Sequence, residues 1–341
     1  MKGKLILVSK DVGSSVQNNL LISDLQDLNF EIDIYSQNPG IDYYSSKNVF
    51  SVPENIDLNS FFKEIMQQPS ICGVLVGFSS KENGIDEIAS QVARAFLIPT
   101  FAIQDFWGNR GVFTIEQIPQ NIFIANKFAK SISTEFFLDS NLIVTGLPKY
   151  DEFISRELVE TNKPTNIKKR VVVFMQPLDF ELYYRSYHSI LESLQKLSKD
   201  ITIISKFHPA TSKFHIEEFK TKYSKIDFCF NKKNIELFEE LDLLITVDST
   251  CAIDFYEFSQ VTGIKKTILS CQFKNSLNEI QNFSKETMDY IGAPIYSEKE
   301  LIETILNSPK PMNASKNSDI MHHKFASKRI AECINTLVNK D

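Results

Sequence analysis

The chain has 341 residues, of which 43% are apolar and 23% charged, with a net charge of −6 at neutral pH. That is the make-up of a globular chain of about two domains, and its acidic balance argues against a nucleic-acid partner. No run approaches the roughly 18 apolar residues of a membrane span, no signal-peptide pattern opens the chain, and Cys72, Cys229, Cys251, Cys271 and Cys333 are scattered without a C-x-x-C. Buried free thiols in a reducing, cytoplasmic setting are expected, rather than disulfides or a zinc site.

K-L-I-L-V-S (4–9) predicts a first strand, followed by a polar turn and a helix near 15–28. F-E-I-D-I-Y (30–35) and C-G-V-L-V-G-F (72–78) predict the next strands. Ile85, Ile88, Ala89, Val92 and Phe96 recur at the 3–4 spacing of a buried helical stripe over 85–96. Strands follow at 98–103, 121–125 and 141–146. The polar, Pro-containing stretch 155–170 reads as a linker. Alternation restarts with a strand at 171–175, a helix over about 181–198 and the strand I-T-I-I-S-K (201–206). A helix at about 214–223, a strand at 226–230, a helix at 235–241, the strand L-L-I-T-V (243–247), a helix over 250–259 and a strand near 265–270 complete it. A second loop covers 307–318 and a closing helix runs over about 320–338. Such alternation means parallel sheets covered by helices. The expected fold class is α/β, with two Rossmann-like doubly wound domains facing a cleft: residues 1–155, residues 170–310, and a helix at 320–338 packing back on the first domain.

Ligands of such sheets sit beyond the C-terminal ends of the strands, so the residues just after each strand are the informative ones. S-K-F-H-P-A-T-S-K (205–213) ends a strand in groups that donate rather than pair. Lys206 and His208 can reach a phosphate across the sheet edge, and Pro209 restricts His208 to extended backbone. D-S-T-C-A-I-D-F (248–255) follows a neighbouring strand, and Ser249 and Thr250 open a helix there. Unpaired N–H groups at a helix start, with two hydroxyls, suit a phosphate; simple N-capping is the plainer alternative. Gln176, after the first strand of the second domain, is placed to contact a base or ribose. His188 and His215 read as surface histidines.

Three loops of the first half are expected to face the cleft. The first carries Gly13, Ser14 and Ser15, a possible second anion site at a helix start. The second carries Glu82 and Asp86. The third, Q-D-F-W-G-N-R-G (104–111), holds the only Trp, Trp107, beside Asp105, Asn109 and Arg110. An indole offers an apolar face to a sugar ring, and Asn and Arg hydrogen-bond its hydroxyls; a Trp that only packs is the alternative. A general base is needed to deprotonate an acceptor hydroxyl. Asp105 is the first choice, with Glu82 and Asp86 as alternatives, Asp86 also serving as a first-turn helix charge. No Asp-x-Asp ends a strand, so no metal and no cofactor are expected.

The segment L-D-L-L-I-T-V-D-S-T-C-A-I-D-F (241–255) resembles the run D-x-L-I-T-D-Y-S-S-x-x-F-D-F of CDP-glycerol glycerophosphotransferases, with Val247-Asp248 in place of the acidic and aromatic pair. The His-Pro element and the later hydroxyl pair also resemble those of polysialyltransferase-like and Kdo-transferase-like enzymes. The resemblance implies the GT-B arrangement and a phosphate of a CMP- or CDP-activated donor held by His208, Pro209, Ser249 and Thr250. V-T-G-L-P-K-Y-D-E-F (144–153) resembles a turn of UDP-N-acetylglucosamine 2-epimerases, as a marker of fold.

The function expected is therefore a metal-independent glycosyltransferase, moving a sugar or polyol phosphate from a nucleotide-activated donor to a glycan or lipid-linked acceptor. An epimerase-like enzyme is disfavoured, because the first histidine of the chain is His188. A non-catalytic nucleotide-sugar-binding partner of a glycan assembly is the third alternative. A peripheral membrane contact would use the basic closing helix (Lys316, Lys324, Lys328, Arg329), although packing on the first domain is the preferred reading.

Overall fold

The computed structural model describes residues 3–46, 48–78, 83–104, 107, 113–151, 153, 168–273, 287, 290–307, 312–313 and 324–339. The chain divides into two compact units, Met1–Ser155 with Asp319–Asp341, and Arg156–Ser318.

The first unit holds seven strands: β1 (Lys4–Ser9), β2 (Glu31–Ser36), β3 (Val49–Ser51), β4 (Ile71–Val76), β5 (Thr100–Ile103), β6 (Asn121–Ile124) and β7 (Asn141–Val144). They form one sheet in the order β3-β2-β1-β4-β5-β6-β7, and every pair is parallel. Helices cover both faces of such a sheet, so its central strands are apolar throughout, not alternating; Leu5, Ile6, Leu7 and Val8 are all buried. The covering helices are α1 (Val12–Asp27), α2 (Leu58–Met66), α3 (Ile85–Ala95) and α4 (Lys127–Ser133). Side chains close the starts of two of them: Asp57 accepts from the Asn59 amide and Asn126 from the Ala129 amide. The stripe predicted on α3 is buried at Ile85, Ile88, Ala89 and Val92, whereas Phe96, just past the helix end, is exposed.

The second unit repeats the plan with β8 (Lys169–Phe174), α5 (Glu181–Lys196), β9 (Ile201–Lys206), α6 (Lys213–Lys222), β10 (Asp227–Cys229), α7 (Asn234–Glu240), β11 (Leu243–Thr246), α8 (Cys251–Thr262), β12 (Ile264–Lys265), β13 (Thr267–Cys271), β14 (Ala293–Ile295), α9 (Glu298–Asn307) and β15 (Met312–Asn313). Its main sheet runs β10-β9-β8-β11-β13-β14, again parallel throughout. Tyr187, Ile190, Leu191 and Leu194 of α5 pack on Val171, Val173, Ile203 and Ile245 of the sheet. Gly263 ends α8 at φ 69°, the left-handed position a residue without Cβ takes at no cost.

The closing helix α10 (Ala326–Val338) lies in the first unit with Ile330, Ala331 and Ile334 buried. It packs on α1. The Arg329 guanidinium donates to the Thr145 carbonyl at 2.7 and 3.1 Å, and the Asp151 carboxylate accepts from the Ala326 amide at 3.3 Å. Residues 320–323 and most of the 155–170 stretch lie outside the described residues. None of the cysteines is bonded; Cys271 is buried and the other four are half-buried. Among the described residues no helix is long and apolar enough to cross a membrane.

Both sheets place their first and fourth strands side by side, with chain direction diverging on either side. In this arrangement a crevice opens at that switch point, outside the carboxyl ends of the two strands. It falls between β1 and β4 in the first unit and between β8 and β11 in the second.

Candidate functional site

In the second unit, β8 delivers Met175–Phe180 to the switch point and β11 delivers Val247–Thr250. The next strand, β9, delivers Phe207–Ser212. These are the segments singled out in the sequence, and the sheet brings them to one edge. The axes of β9 and β11 stand two strand spacings apart, about 10 Å.

His208 to Thr211 form a closed turn with Pro209 at its second position. The Thr211 amide donates to the His208 carbonyl at 2.9 Å. The Ala210 amide donates to His208 Nδ1 at 3.1 Å. Nδ1 is therefore the acceptor, and a neutral His208 carries its proton on Nε2. Burial holds this imidazole below its ordinary value, so it is neutral at pH 7. The turn thus presents one fixed N–H donor. The Thr211 hydroxyl is buried and has no hydrogen-bond partner among the described residues.

Two other expected ligand contacts are turned inward. The Lys206 ammonium donates to the Lys232 carbonyl at 2.6 Å and to Asn234 Oδ1, so it ties the end of β9 to the start of α7. Burial lowers its affinity for a proton. It is a strut rather than a phosphate grip. Gln176 Oε1 accepts from the Tyr187 hydroxyl, so it does not face a base or ribose. Tyr187, which the sequence reading passed over, is the hub of the switch point. Its buried hydroxyl, whose one proton goes to Gln176 Oε1, also lies 2.9 Å from the Phe174 carbonyl and accepts from the Gln176 and Val247 amides at 3.2 and 3.4 Å. Burial keeps that phenol protonated.

Beyond β11 the chain makes a tight local turn. The Ser249 amide donates to Thr246 Oγ1 at 3.1 Å, and the Cys251 amide donates to Ser249 Oγ at 3.3 Å. Ser249 thus serves partly as the cap the plainer reading anticipated. Thr250 is the N-cap residue of α8, makes no side-chain cap bond, and is half-exposed. Asp248 is buried, and its Oδ2 accepts from the Tyr183 hydroxyl of α5 at 3.2 Å. Gln272 and Ser270, at the end of β13, both donate to the Val247 carbonyl, at 2.9 and 2.7 Å. The turn is therefore braced from both sides.

Helix starts hold anions, and three long helices, α5, α6 and α8, start at this edge. The start of α6 is already served: the Ser212 amide donates to Asp179 Oδ2 at 3.2 Å. The first turn of α8, with Thr250, follows β11 directly at the switch point, and the Cys251 amide there already donates to Ser249 Oγ. Lys213 is exposed at the start of α6. His188 and His215 are not solvated surface residues. His188 sits against the Phe219 and Tyr184 rings, 4.4 and 4.5 Å between centroids. Its Nδ1 lies 2.5 Å from the Tyr223 hydroxyl.

The first unit's switch point is stitched shut. α1 begins at Val12, three residues earlier than expected, so Ser14 and Ser15 lie inside the helix. Ser15 is fully buried with its hydroxyl 2.8 Å from that of Ser9. Ser14 Oγ accepts from the Phe78 amide at 3.2 Å. Neither serves an anion as expected, because both close β1 and α1 onto their neighbours; Gly13 alone is exposed. A Cβ on Gly77 would stand 2.5 Å from Ser14 Oγ and 2.8 Å from Asp86 Oδ1, so only glycine fits between them.

Asp86 lies fully buried in the first turn of α3, and its Oδ1 accepts from the Gly77 amide at 2.9 Å. Burial, then the neighbouring Glu87, pushes its carboxyl well up from the ordinary carboxylate range. Its position is that of the helix-start charge and not of a solvent-facing base. Trp107 is 1% exposed and meets the Phe128 ring edge-on at 5.8 Å. The indole packs inside the unit and offers no face to a sugar. Glu82, Asp105, Asn109 and Arg110 lie outside the described residues. Among the described residues no cluster of His, Cys, Asp and Glu could hold a metal ion.

No protein-family model matches the chain, and no curated protein matches it significantly. Solved structures do. The UDP-GlcNAc 2-epimerase of Methanocaldococcus jannaschii, in complex with UDP-GlcNAc and UDP, is 14% identical with a TM-score of 0.66, over 98% of this chain and 99% of that one. MurG of Acinetobacter baumannii is 10% identical with a TM-score of 0.59, over 98% of this chain and 99% of that one. The calicheamicin glycosyltransferase CalG4 is 8% identical with a TM-score of 0.56, over 98% of this chain and 95% of that one. Likeness at such identities carries the fold alone: the chain has the GT-B fold, shared by nucleotide-sugar epimerases and glycosyltransferases.

Proposed function

We propose that the chain is a nucleotide-sugar enzyme of the glycosyltransferase kind, with the donor's phosphates at the switch point of the second unit. The observation that carries this reading is the division of labour there. Lys206, Gln176 Oε1 and the start of α6 are spent on internal bonds, while His208 Nε2–H and the Thr250 hydroxyl are left at the open end of the strands.

In the proposed reaction an acceptor hydroxyl oxygen bonds to the anomeric carbon as the carbon–oxygen bond to phosphate breaks. The electron pair leaves with the nucleoside phosphate, and the hydroxyl proton passes to a carboxylate, for which Asp105 remains the proposed base. Charge develops on the leaving phosphate. A neutral imidazole N–H held in place by the Ala210 amide, together with helix N–H groups, stabilises that charge without reorganising. The acceptor proposed is a surface-glycan precursor. The resemblance around Asp248–Phe255 favours a cytidine donor. The second reading, an epimerase acting on a UDP-N-acetylhexosamine, is supported by the likeness to the M. jannaschii epimerase.

A thermal-shift panel with CMP, CDP, UDP, GDP and their common sugars tests the proposal. A ligand at 100 times its Kd stabilises by about 2.7 kcal/mol. His208→Ala removes one hydrogen bond to a charged group and is expected to weaken binding roughly 10- to 100-fold with the fold intact. A cytidine-selective shift supports the transferase and a uridine-selective one the epimerase. No shift with any nucleotide, or equal shifts in His208→Ala, overturns the phosphate site. Asp105→Asn then separates an enzyme from a binder: turnover is lost in the first case and nothing changes in the second.

A further inference from the structure

We propose that the loops following β8, β9 and β10 form a docking surface for an anionic membrane: Phe180, Phe214 and Phe230 enter the lipid, and Lys213 and Lys233 meet its headgroups. The proposal does not rest on the nucleotide reading above.

Large apolar side chains left in water mean little singly and more in groups. Phe180 is 62% exposed, Phe214 73% and Phe230 46%. Each follows one of three strands that neighbour one another in the order β10-β9-β8. All three rings therefore arise at the carboxyl-terminal edge of the sheet, over strands that together span about 10 Å. The loops are tied to one another there. The Ser212 amide donates to Asp179 Oδ2 at 3.2 Å, which holds the residue before Phe180 against the residue two before Phe214. The Phe207 amide donates to the Cys229 carbonyl at 3.2 Å, just before Phe230. The Lys206 ammonium donates to the Lys232 carbonyl at 2.6 Å, which fixes the turn between Phe230 and Lys233.

The charges beside the rings decide the occupant. Lys213 and Lys233 are exposed, and among the described residues neither is in an ion pair. The nearby carboxylates are engaged: Asp179 by the Ser212 amide, Glu181 by Arg185 and Glu217 by Lys220 at 3.5 Å. In a chain of net charge −6 this is a local exception. The first unit has a comparable apolar group, with Leu97 91%, Ile115 65% and Leu138 82% exposed. It precedes β5, β6 and β7, at the amino-terminal ends of its own strands, and its neighbours Glu116 and Asp139 are acidic and exposed. Anionic lipid is repelled by that surround and attracted by the lysines of the second unit. The closing helix α10, the sequence's own candidate for a membrane contact, has its apolar residues Ile330 and Ile334 buried in the first unit.

A phenyl ring gains by leaving water for the acyl boundary. Each lysine adds an attraction that fades within a Debye length of the surface. Binding by such a patch is reversible and weakened by salt.

The test is flotation of the full-length chain with vesicles of phosphatidylcholine alone or with roughly a third phosphatidylglycerol, at low and at high salt. The wild type is expected to float with the anionic vesicles, to bind the neutral ones at least fivefold more weakly, and to lose that preference at high salt. Phe180→Ser and Phe214→Ser are each expected to weaken binding about three- to tenfold. Lys213→Gln and Lys233→Gln are each expected to weaken it about fivefold on anionic vesicles and not on neutral ones. All four positions are exposed, so thermal unfolding is the check that the variants fold as the wild type does. Leu97→Ser and Leu138→Ser are the reference and should bind as wild type. A wild type that floats with neither vesicle, phenylalanine variants that bind undiminished, or an equal loss in Leu97→Ser or Leu138→Ser overturns the proposal. Affinity for CDP and UDP is measured in parallel. A phenylalanine variant that loses nucleotide affinity while keeping vesicle binding places its ring in a ligand site instead. A wild type that binds neither nucleotide but floats with anionic vesicles sinks the nucleotide reading and upholds the docking surface.

Discussion

Replacing Tyr187 by Phe isolates what the hub of the second switch point is worth. The ring stays, so the apolar burial on α5 is unchanged and only the hydroxyl is lost. The Phe174 carbonyl keeps a donor, because Thr246 Oγ1 reaches it at 2.9 Å. The Gln176 and Val247 amides lose the oxygen they approach at 3.2 and 3.4 Å, and Gln176 Oε1 loses its donor. A buried donor left unsatisfied costs about 1–3 kcal/mol, and contacts this long sit at the low end. Two of them give about 2 kcal/mol, which corresponds to roughly 30-fold faster exchange where opening is local. Hydrogen exchange on peptides spanning the ends of β8 and β11 reads this directly, with the β1 peptide of the first unit as the unchanged reference. Acceleration below about threefold would mean that the hydroxyl is not what joins these two strand ends.

Three further predictions concern the positions where expectation and structure part. Burial holds both His208 and His188 below the ordinary imidazole value, with Lys222 adding to the effect at His188. The unfolded chain therefore takes up protons that the folded one refuses, and stability of the second unit falls as pH drops through about 6.5. Urea midpoints at pH 7.5, 6.5 and 5.5 should decline in that order, and less steeply in His188→Gln. Asp86 has the opposite sign, because its folded carboxyl is raised: it destabilises the first unit as pH rises above the unfolded carboxylate value. Asp86→Asn keeps an acceptor for the Gly77 amide and should slow exchange in Ile71–Val76 at pH 7 but not at pH 3; loss of turnover without that gain would restore Asp86 as a catalytic candidate. Trp107→Ala should cost about 3–5 kcal/mol of first-unit stability, and a stable variant defective only in acceptor binding would contradict the packing role.

The architecture was legible because fully buried parallel strands are written as unbroken apolar runs, and V-V-V-F and L-L-I-T announce β8 and β11 without ambiguity. The stripe of α3 was equally plain. α1 was misplaced because it lacks such a stripe: it buries Ser14, Ser15, Gln17 and Asn18 alongside Leu21, Ile22 and Leu25. α2 and α9 were passed over because each buries only two or three side chains. At the site, the strand-end rule found His208 and Thr250, which stand at the open end of the strands. It could not sort Lys206 and Gln176 from them, because their partners, Asn234 and Tyr187, are set by tertiary contact. Asp179 and Tyr187 were missed for the same reason. Tyr187 looks like one more residue of the α5 stripe, and only its reach to Val247, 60 positions away, marks it out.

The burial of the chain's single indole has a practical side. Trp107 is the sole tryptophan, sealed in the first unit against Phe128, while the proposed ligand site is built wholly from the second. The protein thus carries its single indole on the half that lacks the proposed nucleotide site. Tyrosine aside, a ligand confined to the second unit should be optically silent. Any change in indole emission on adding a nucleotide is then a signal that the other half has felt it, readable without a label.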